Sequence, residues 1–514
     1  MPAESPDVLI IGAGACGSLM AKELAGRGFA VTILEAGKRL DAARDLANSE
    51  ANAGKIMWTE PRVFAGRDGI VPKMGVGIGG GTLSWLGVSP RFQADDFRTY
   101  STEGIGSDWP LGYEDLRPHY AKMERELGVA GECGPFAPEQ YSLPMPPHRL
   151  NWHAQILARG ARKLGAQPFA PPIAINSREY DGRPACVYCG WCASGCPTGA
   201  KAMAGATHLA KAERLGARVI SGAFAFEICY DAAKHRVTGV RYLNAAGHER
   251  EVRAQVVILS THAVETPRLL LLSANPTFPH GLANSSGKVG RGLMSHPTWQ
   301  VFGTFEEPVN AYKGMQMGHV MVQDHQRSDP ARGCARGFIL LSYMMTPVTY
   351  ANLSGAFVGP DFKDFLHDYA HTAAWWAHAE GLADDENAVT LDKELKDARG
   401  LPAARVFYEW TENDRALSAK ARDRAAEMMQ ASGARRVRIG LNYGAHAMGS
   451  CRMGDDPRSS VVNSFGQTHD IPNLFIADTS TFVTSSGVNP TLTAMAITDR
   501  SAGYISTLAK RGEL

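Results

Sequence analysis

Four of the nine cysteines in this 514-residue chain fall in one short run, Cys186-Val-Tyr-Cys189-Gly-Trp-Cys192-Ala-Ser-Gly-Cys196-Pro197. The spacing C-x2-C-x2-C-x3-C-P is that of an iron–sulfur run, in which thiolates hold iron and the cluster moves single electrons. Spacing alone leaves alternatives open. A structural zinc site more often takes two separated pairs of ligands. Disulfides between cysteines this close are strained and labile, so redox-active or idle thiols are the third reading. The other cysteines (Cys16, Cys133, Cys229, Cys334 and Cys451) stand singly, unlike a secreted disulfide framework.

A one-electron carrier needs an electron source, and the N-terminus offers a place for one. Asp7-Val-Leu-Ile-Ile11 has the short apolar pattern of a buried parallel strand. Gly12-Ala-Gly14-Ala-Cys-Gly17 follows, then a helical stretch, then a second strand, Ala30-Val-Thr-Ile-Leu34, ending at Glu35. In that order the parts make a dinucleotide site. Gly12 permits the tight turn, Gly14 lets a pyrophosphate approach the backbone, and Gly17 lets the helix pack on the strand. The helix N-terminus offers amides to the phosphates, and Glu35 lies about 20 residues on, where an acid accepts from ribose hydroxyls.

Three further stretches have the residue types of a site. Gly75-Val-Gly77-Ile-Gly79-Gly80-Gly81-Thr82 is either a flexible loop or backbone passing tightly against a flat ligand. Gly444-Ala-His446-Ala-Met-Gly449 sets one histidine among glycines, and Asn473-Leu-Phe-Ile-Ala-Asp478 is a strand ending in an acid. Asn489-Pro490-Thr491 opens a helix over 492–505, whose free amides point at whatever precedes it.

The elements between these stretches follow from periodicity. Helices are expected at Tyr113–Leu127, Trp152–Leu164, Ala202–Leu215, Leu269–Leu272, Asp361–Tyr369 and Arg415–Met429. Strand-rich segments are expected at Arg218–Tyr230, Arg236–Leu243 and Glu251–Leu259. The proline-dense stretch Gly134–Pro147 is expected to be an exposed connection. Most of the aromatics Trp375, Trp376, Phe407, Tyr408 and Trp410 are expected in the core.

Composition narrows the classes. An apolar fraction of 44% with 20% charged residues describes an ordinary globular protein. A net charge of +1 argues against nucleic acid as a partner. No apolar stretch is long enough to span a bilayer, so membrane contact is expected only through partners. Met1-Pro-Ala-Glu-Ser-Pro has no basic n-region, twin arginine or apolar h-region, and the expectation is a chain with no export signal of its own.

Together these motifs resemble the glucose–methanol–choline (GMC) oxidoreductases, at both ends of the chain. The N-terminal pattern extends through Ala21 and Gly28 in the form typical of FAD-binding flavoproteins, and Gly79-Gly80-Gly81-Thr82 is similar to the family's flavin-contacting loop. Thr261–Ser273 resembles its second signature, with His262 where the family has glycine. Val289-Gly-Arg-Gly-Leu-Met-Ser-His296-Pro297 resembles its VGxxLxxHP element, with Ser295 where Asp is usual. The resemblance implies an α/β and α+β fold. Its doubly wound, Rossmann-like FAD-binding domain comes from residues 1–92, 200–299 and 435–514. Its substrate domain is built on a mostly antiparallel sheet, from 93–199 and 300–434, and carries the cysteine loop 186–197.

The resemblance also implies roles. His446 is the expected catalytic base for alcohol oxidation, and Asn489 the expected donor that holds the substrate oxygen. FAD contacts are expected at Gly12, Gly14, Gly17, Glu35, Gly79, Gly80, Gly81, Thr82, Asp478, Pro490 and Thr491. His262 and His296 are read as structural. FAD is expected to bind non-covalently, because Ser84 stands before Trp85 where the similar pyranose oxidase loop has its flavin-tethering histidine.

The cysteine run is similar to that of FAD-dependent sugar and polyol dehydrogenase subunits. By that likeness Cys186, Cys192 and Cys196 hold a 3Fe-4S cluster, with Cys189 spare or a fourth ligand making 4Fe-4S. The implied activity is dehydrogenation of a sugar or polyol hydroxyl, electrons leaving to a redox partner such as a cytochrome c subunit. A small export subunit and a periplasmic location come with that branch, with the cytoplasm as the alternative. The rival functions are an oxygen-using sugar oxidase and a non-catalytic electron-transfer flavoprotein subunit.

Overall fold

The computed structural model describes residues 5–46, 49–68, 74–354 and 357–514. Met1–Glu4, part of the stretch expected to lack an export signal, lie outside the described residues, as do 69–73.

Val8–Ile11 is a strand with all four residues buried, as a strand covered on both faces must be. It pairs in parallel with Val31–Glu35 on one side and Val256–Leu259 on the other. Arg218–Ser221 and Leu474–Ile476 complete the two edges of this five-stranded sheet. Helix Ala15–Ala25 packs on the sheet and against helices His208–Arg214 and Thr491–Lys510. Strands from the start, middle and end of the chain therefore form one parallel layer, as a doubly wound domain assembled from separate segments requires.

The second large sheet is antiparallel, in the order Met317–Val322, Phe338–Tyr343, Thr372–Ala379, Met294–Thr304, Arg436–Met448. Its middle strand Thr372–Ala379 is buried throughout, and helix Glu412–Ala431 packs across it. That helix starts with a reciprocal cap. The Thr411 hydroxyl accepts from the Asp414 amide, and the Asp414 carboxylate accepts from the Thr411 amide. Two three-stranded sheets complete the fold, one of Ala388–Lys396, Pro402–Phe407 and Arg62–Ala65, the other of Phe224–Asp231, Arg236–Leu243 and Glu249–Arg253. Among the described residues no helix is long and apolar enough to cross a membrane.

Local expectations differ from the structure where a turn hides inside an apolar run. Arg218–Tyr230 is two strands in different sheets, Arg218–Ser221 and Phe224–Asp231, because Gly222 turns the chain at φ +67°. Glu251–Leu259 is likewise split between Glu249–Arg253 and Val256–Leu259. The helix expected from Ala202 begins at His208, and in the segment before it the Ala202 and Ala204 amides donate to the Ala174 carbonyl and the Thr82 hydroxyl. The helix expected at Leu269–Leu272 is longer, His262–Leu272. Trp375, Trp376, Tyr408 and Trp410 are buried, whereas Phe407 is exposed.

Candidate active site and cysteine loop

One cavity runs between the ends of the parallel strands and the antiparallel sheet, and most of the residues singled out in the sequence meet there. Gly12, Gly14, Glu35, Gly80, Gly81, Thr82, His446, Asp478, Asn489, Pro490 and Thr491 all line it. Gly17 and Gly79 do not, and both act through packing. A Cβ on Gly17 would lie 2.0 Å from the Gly12 carbonyl oxygen, so only glycine lets the helix sit this close to the strand turn. The Gly79 amide donates to the Ala13 carbonyl at 3.0 Å, fastening the second glycine loop to the first.

The phosphate end of the cavity is built from the two glycine loops and a helix terminus. Helix Ala15–Ala25 starts after Gly14, so Ala15 and Cys16, which line the cavity, belong to a first turn whose amides have no partner within the helix. Gly80 approaches Gly14 so closely that a Cβ there would sit 2.8 Å from the Gly14 Cα. Glu35 organises this end. Its carboxylate accepts from the amides of Ala13 (2.9 Å), Gly37 (2.8 Å) and Gly77 (3.1 Å), joining both loops to the second strand. Burial raises its pKa against the pull of those three donors. Asp478 is similarly engaged, accepting from the Thr266 hydroxyl (2.6 Å) and the His262 and Ser480 amides. His262 lines the cavity at φ +86°, which accounts for the glycine the resembling family has at that position.

The other end is a histidine cluster on antiparallel strands. His446 lies where the register of Arg436–Met448 against Met294–Thr304 shifts between Ala445 and Met448, at φ +57°, as a bulge that re-aims a side chain would require. Its Nδ1 is 3.1 Å from His296 Nδ1, and its Nε2 is 3.3 Å from the Asn489 amide nitrogen. Trp376, which also lines the cavity, meets its ring edge-on at 5.9 Å, and His378 does so at 5.1 Å. Burial, with His296 beside it, drives the His446 pKa well below its ordinary value, and burial also lowers His296 to about 4. Both rings are therefore neutral at pH 7, and a neutral imidazole has a lone pair with which to accept a proton. The sequence reads His296 as structural and Trp376 as a core aromatic, and His378 carries no sequence signal of its own. Pairing of Ala445 with His296 and of His378 with Thr298 brings the three histidines together.

These residues fit FAD. The cavity has close backbone approach at glycines, free amides, buried acids beside the strand ends, and polar atoms left without a protein partner. Trp58 Nε1, Trp85 Nε1 and Asn489 Oδ1 are buried atoms of that kind, all on cavity-lining residues.

The cysteine run lies behind the wall formed by Thr82–Trp85. All four thiols are free: Cys192 is buried, Cys186 and Cys196 are half-buried, and Cys189 is exposed. The loop folds through left-handed residues at Tyr188, Gly190 and Gly195. Sulfurs on it receive backbone amides, Tyr188 to Cys186 at 3.3 Å and Lys201 to Cys196 at 3.4 Å. Buried Lys201 donates to the carbonyls of Cys192, Leu83 (3.0 Å) and Trp85 (2.9 Å), and burial brings its pKa down to about 8. Among the described residues, His296, His378 and His446 form the one group of three histidine, cysteine or carboxylate ligand atoms all within 4.8 Å of one another. Among the described residues the four thiols of the run do not form such a group.

Comparison with known proteins agrees with this geometry. Residues 6–298 and 383–498 match the two family profiles described as GMC oxidoreductase. The chain is 33% identical to the fructose dehydrogenase large subunit of Gluconobacter japonicus, over 99% of each chain. It is 32% identical to 2-methyl-1,2-propanediol dehydrogenase of Mycolicibacterium austroafricanum, over 98% of this chain and 96% of that one. A formate oxidase structure from Aspergillus oryzae superposes with a TM-score of 0.72 at 16% identity, covering 99% and 100% of the two chains. With the strand–glycine–helix–strand unit, the second glycine loop and the His446–Asn489 pair all facing one cavity, the chain belongs to the GMC oxidoreductases, FAD-dependent enzymes that act on alcohol or sugar hydroxyl groups.

Proposed function

We propose that the protein is the FAD-bearing subunit of a dehydrogenase that oxidises a hydroxyl of a sugar or polyol, with Cys186, Cys192 and Cys196 holding an iron–sulfur cluster. The observation that carries this reading is the junction between the two loops. The Leu83 carbonyl accepts from both the Gly195 amide (2.9 Å) and Lys201, so the cysteine loop is bonded to the loop that lines the flavin cavity. Bound in these places, FAD supplies a hydride acceptor and the cluster a one-electron outlet.

The chain's own residues supply the acid–base work. His446, neutral and open to the cavity, takes the hydroxyl proton on Nε2. Asn489 directs its amide protons to the same place and orients the substrate oxygen. Trp376 supplies an apolar wall that keeps water from the base. An outlet implies an acceptor, here a cytochrome c subunit, and the name of the fructose dehydrogenase relative, a large subunit, supports a multi-subunit assembly. A small signal-bearing export subunit and a periplasmic location complete the proposal.

The test is anaerobic addition of sugars and polyols to the purified holoprotein, with dye and oxygen turnover compared. Flavin bleaching with fast dye reduction is expected. Fast turnover in air with hydrogen peroxide as product would make the protein an oxidase and overturn the dehydrogenase reading.

A further inference from the structure

We infer that His296 fixes the tautomer of His446 through a hydrogen-bond relay anchored on the Ser486 carbonyl, leaving Nε2 of His446 bare as the proton acceptor. The inference rests on the reading of His446 as the base, and deepens it by adding a positioning residue.

The relay follows from which atoms can donate. His296 Nε2 is 2.8 Å from the Ser486 carbonyl and 3.3 Å from that of Ser485. A carbonyl only accepts, so Nε2 of His296 carries a proton. His296 is fully buried, and the groups around it are the neutral rings of His378 and His446 and the two carbonyls, with no carboxylate among its contacts to stabilise an imidazolium. Its other nitrogen, Nδ1, is therefore a bare lone pair. The 3.1 Å approach of His446 Nδ1 to that lone pair needs one hydrogen between them, and only His446 can supply it. A neutral His446 with its proton on Nδ1 has no proton on Nε2. That nitrogen faces Asn489, whose amide donates to it at 3.3 Å.

The assignment gives the relay a function in the reaction. The substrate hydroxyl would transfer its proton to His446 Nε2, and bound FAD would supply the acceptor for the hydride that the alcohol carbon gives up as it becomes a carbonyl. His446 becomes an imidazolium and keeps its Nδ1 proton, which His296 Nδ1 continues to accept. The charge formed in the step thus meets a hydrogen-bond acceptor already in place. His378 does not take part in the relay. Its Nδ1 is 3.2 Å from the Thr298 hydroxyl, and its neighbours in the cluster are Trp376, His296 and His446.

The decisive measurement is the 15N spectrum of histidine-labelled, FAD-loaded protein, with His446 assigned by its loss in His446→Ala. The expected result is a protonated Nδ1 and a bare Nε2 on His446 in the parent. A protonated Nε2 there overturns the inference, whatever the activity. His296→Gln retains the pattern, since its amide oxygen accepts where Nδ1 did and its NH2 donates to Ser486. His296→Phe removes it. The Gln variant is expected to keep the parental tautomer and most of the parental kcat. The Phe variant is expected to show mixed tautomers and a kcat lower by about 10²-fold or more. Parental kcat in His296→Phe would also overturn the relay, and if that variant fails to fold the parent spectrum still decides. Failure of the base reading is separately visible, as undiminished turnover in His446→Ala with the parent tautomer as inferred.

Discussion

Lys201 and Cys192 are joined across the back of the flavin cavity, the buried Lys201 ammonium donating to the Cys192 carbonyl and, with its remaining protons, to the carbonyls of Leu83 and Trp85. One residue thus ties the loop that touches the flavin space to the loop that carries the thiols. A lysine in the interior is costly unless its donors are filled, and here three carbonyls fill all three.

Replacing that ammonium by a chain of similar length without donors should separate the two loops. Lys201→Met is expected to lower stability by about 3 kcal/mol, since three buried carbonyls lose a charged donor. It should lower bound iron more than bound FAD, because the glycine loops around Glu35 do not depend on it. Melting temperature and the iron-to-flavin ratio check this. An unchanged ratio would mean that the strap serves stability alone.

The thiols themselves are unequal. Cys192 is buried and Cys196 receives the Lys201 amide, whereas Cys189 is exposed. Cys192→Ser and Cys196→Ser are expected to abolish the cluster, leaving a flavoprotein that still bleaches with substrate. Cys189→Ser is expected to keep its iron and acid-labile sulfide. Loss of one iron per chain in Cys189→Ser would instead make it a fourth ligand.

The legibility of this molecule divides along contact distance in the chain. Val8–Ile11, the turn to Gly17 and the strand ending at Glu35 are close neighbours whose pattern is local, and the structure places them as expected. His446 and Asn489 were identifiable from motifs at the C-terminal end. His378 was not, because it lies in a strand apolar enough to pass for core, and only its pairing opposite Thr298 brings it beside His296. Sheet register between distant strands is not encoded by any local period. Lys201 was hidden for a similar reason, since nothing near it in sequence shows that three separate carbonyls converge on its side chain. The misplaced strand ends at Ser221 and Arg253 are errors of another kind, short turns within runs of uniform β-propensity.

Gly14 tests the flavin end without disturbing the fold. A methyl there would meet no protein atom closer than the Gly80 Cα at 4.0 Å, and its backbone is extended. The open space it would enter is the cavity itself, where a pyrophosphate must come close to the backbone. Gly14→Ala is therefore expected to fold with a near-parental melting temperature of the apoprotein while FAD affinity falls at least about tenfold, or about 1.4 kcal/mol. Gly12→Ala should fail differently, because its Cβ would lie 2.3 Å from the Ser260 carbonyl oxygen at φ +101°. Calorimetric unfolding and equilibrium dialysis with FAD separate the two outcomes.

The Ser485–Ser486 turn that anchors His296 is itself held by a buried ion cluster, and this gives stability a predictable pH dependence. Arg336 pairs with Asp96 (2.7 Å), Glu103 (2.6 Å) and Glu380 (3.0 Å), and Asp96 also accepts from the Ser486 hydroxyl at 2.6 Å. Three acids share one guanidinium. Burial, only partly offset by Arg336, raises Glu380 to about 8 and Asp96 to about 6. Between their unfolded values of 4.5 and 3.8 and these raised values, the folded chain holds protons that the unfolded chain has released. Stability from these two groups is then fully present below about pH 4 and is lost as pH rises through 6 for Asp96 and 8 for Glu380. Glu380→Gln keeps an oxygen to accept from Arg336 and cannot ionise. Its melting temperature should track the parent near pH 4, where Glu380 is protonated in the folded and the unfolded chain alike, and exceed it increasingly from there to about pH 8, above which the difference levels off. A difference that stays constant from pH 6 to 9, read by scanning calorimetry, would show that Glu380 is already ionised at neutral pH and that Arg336 outweighs its burial.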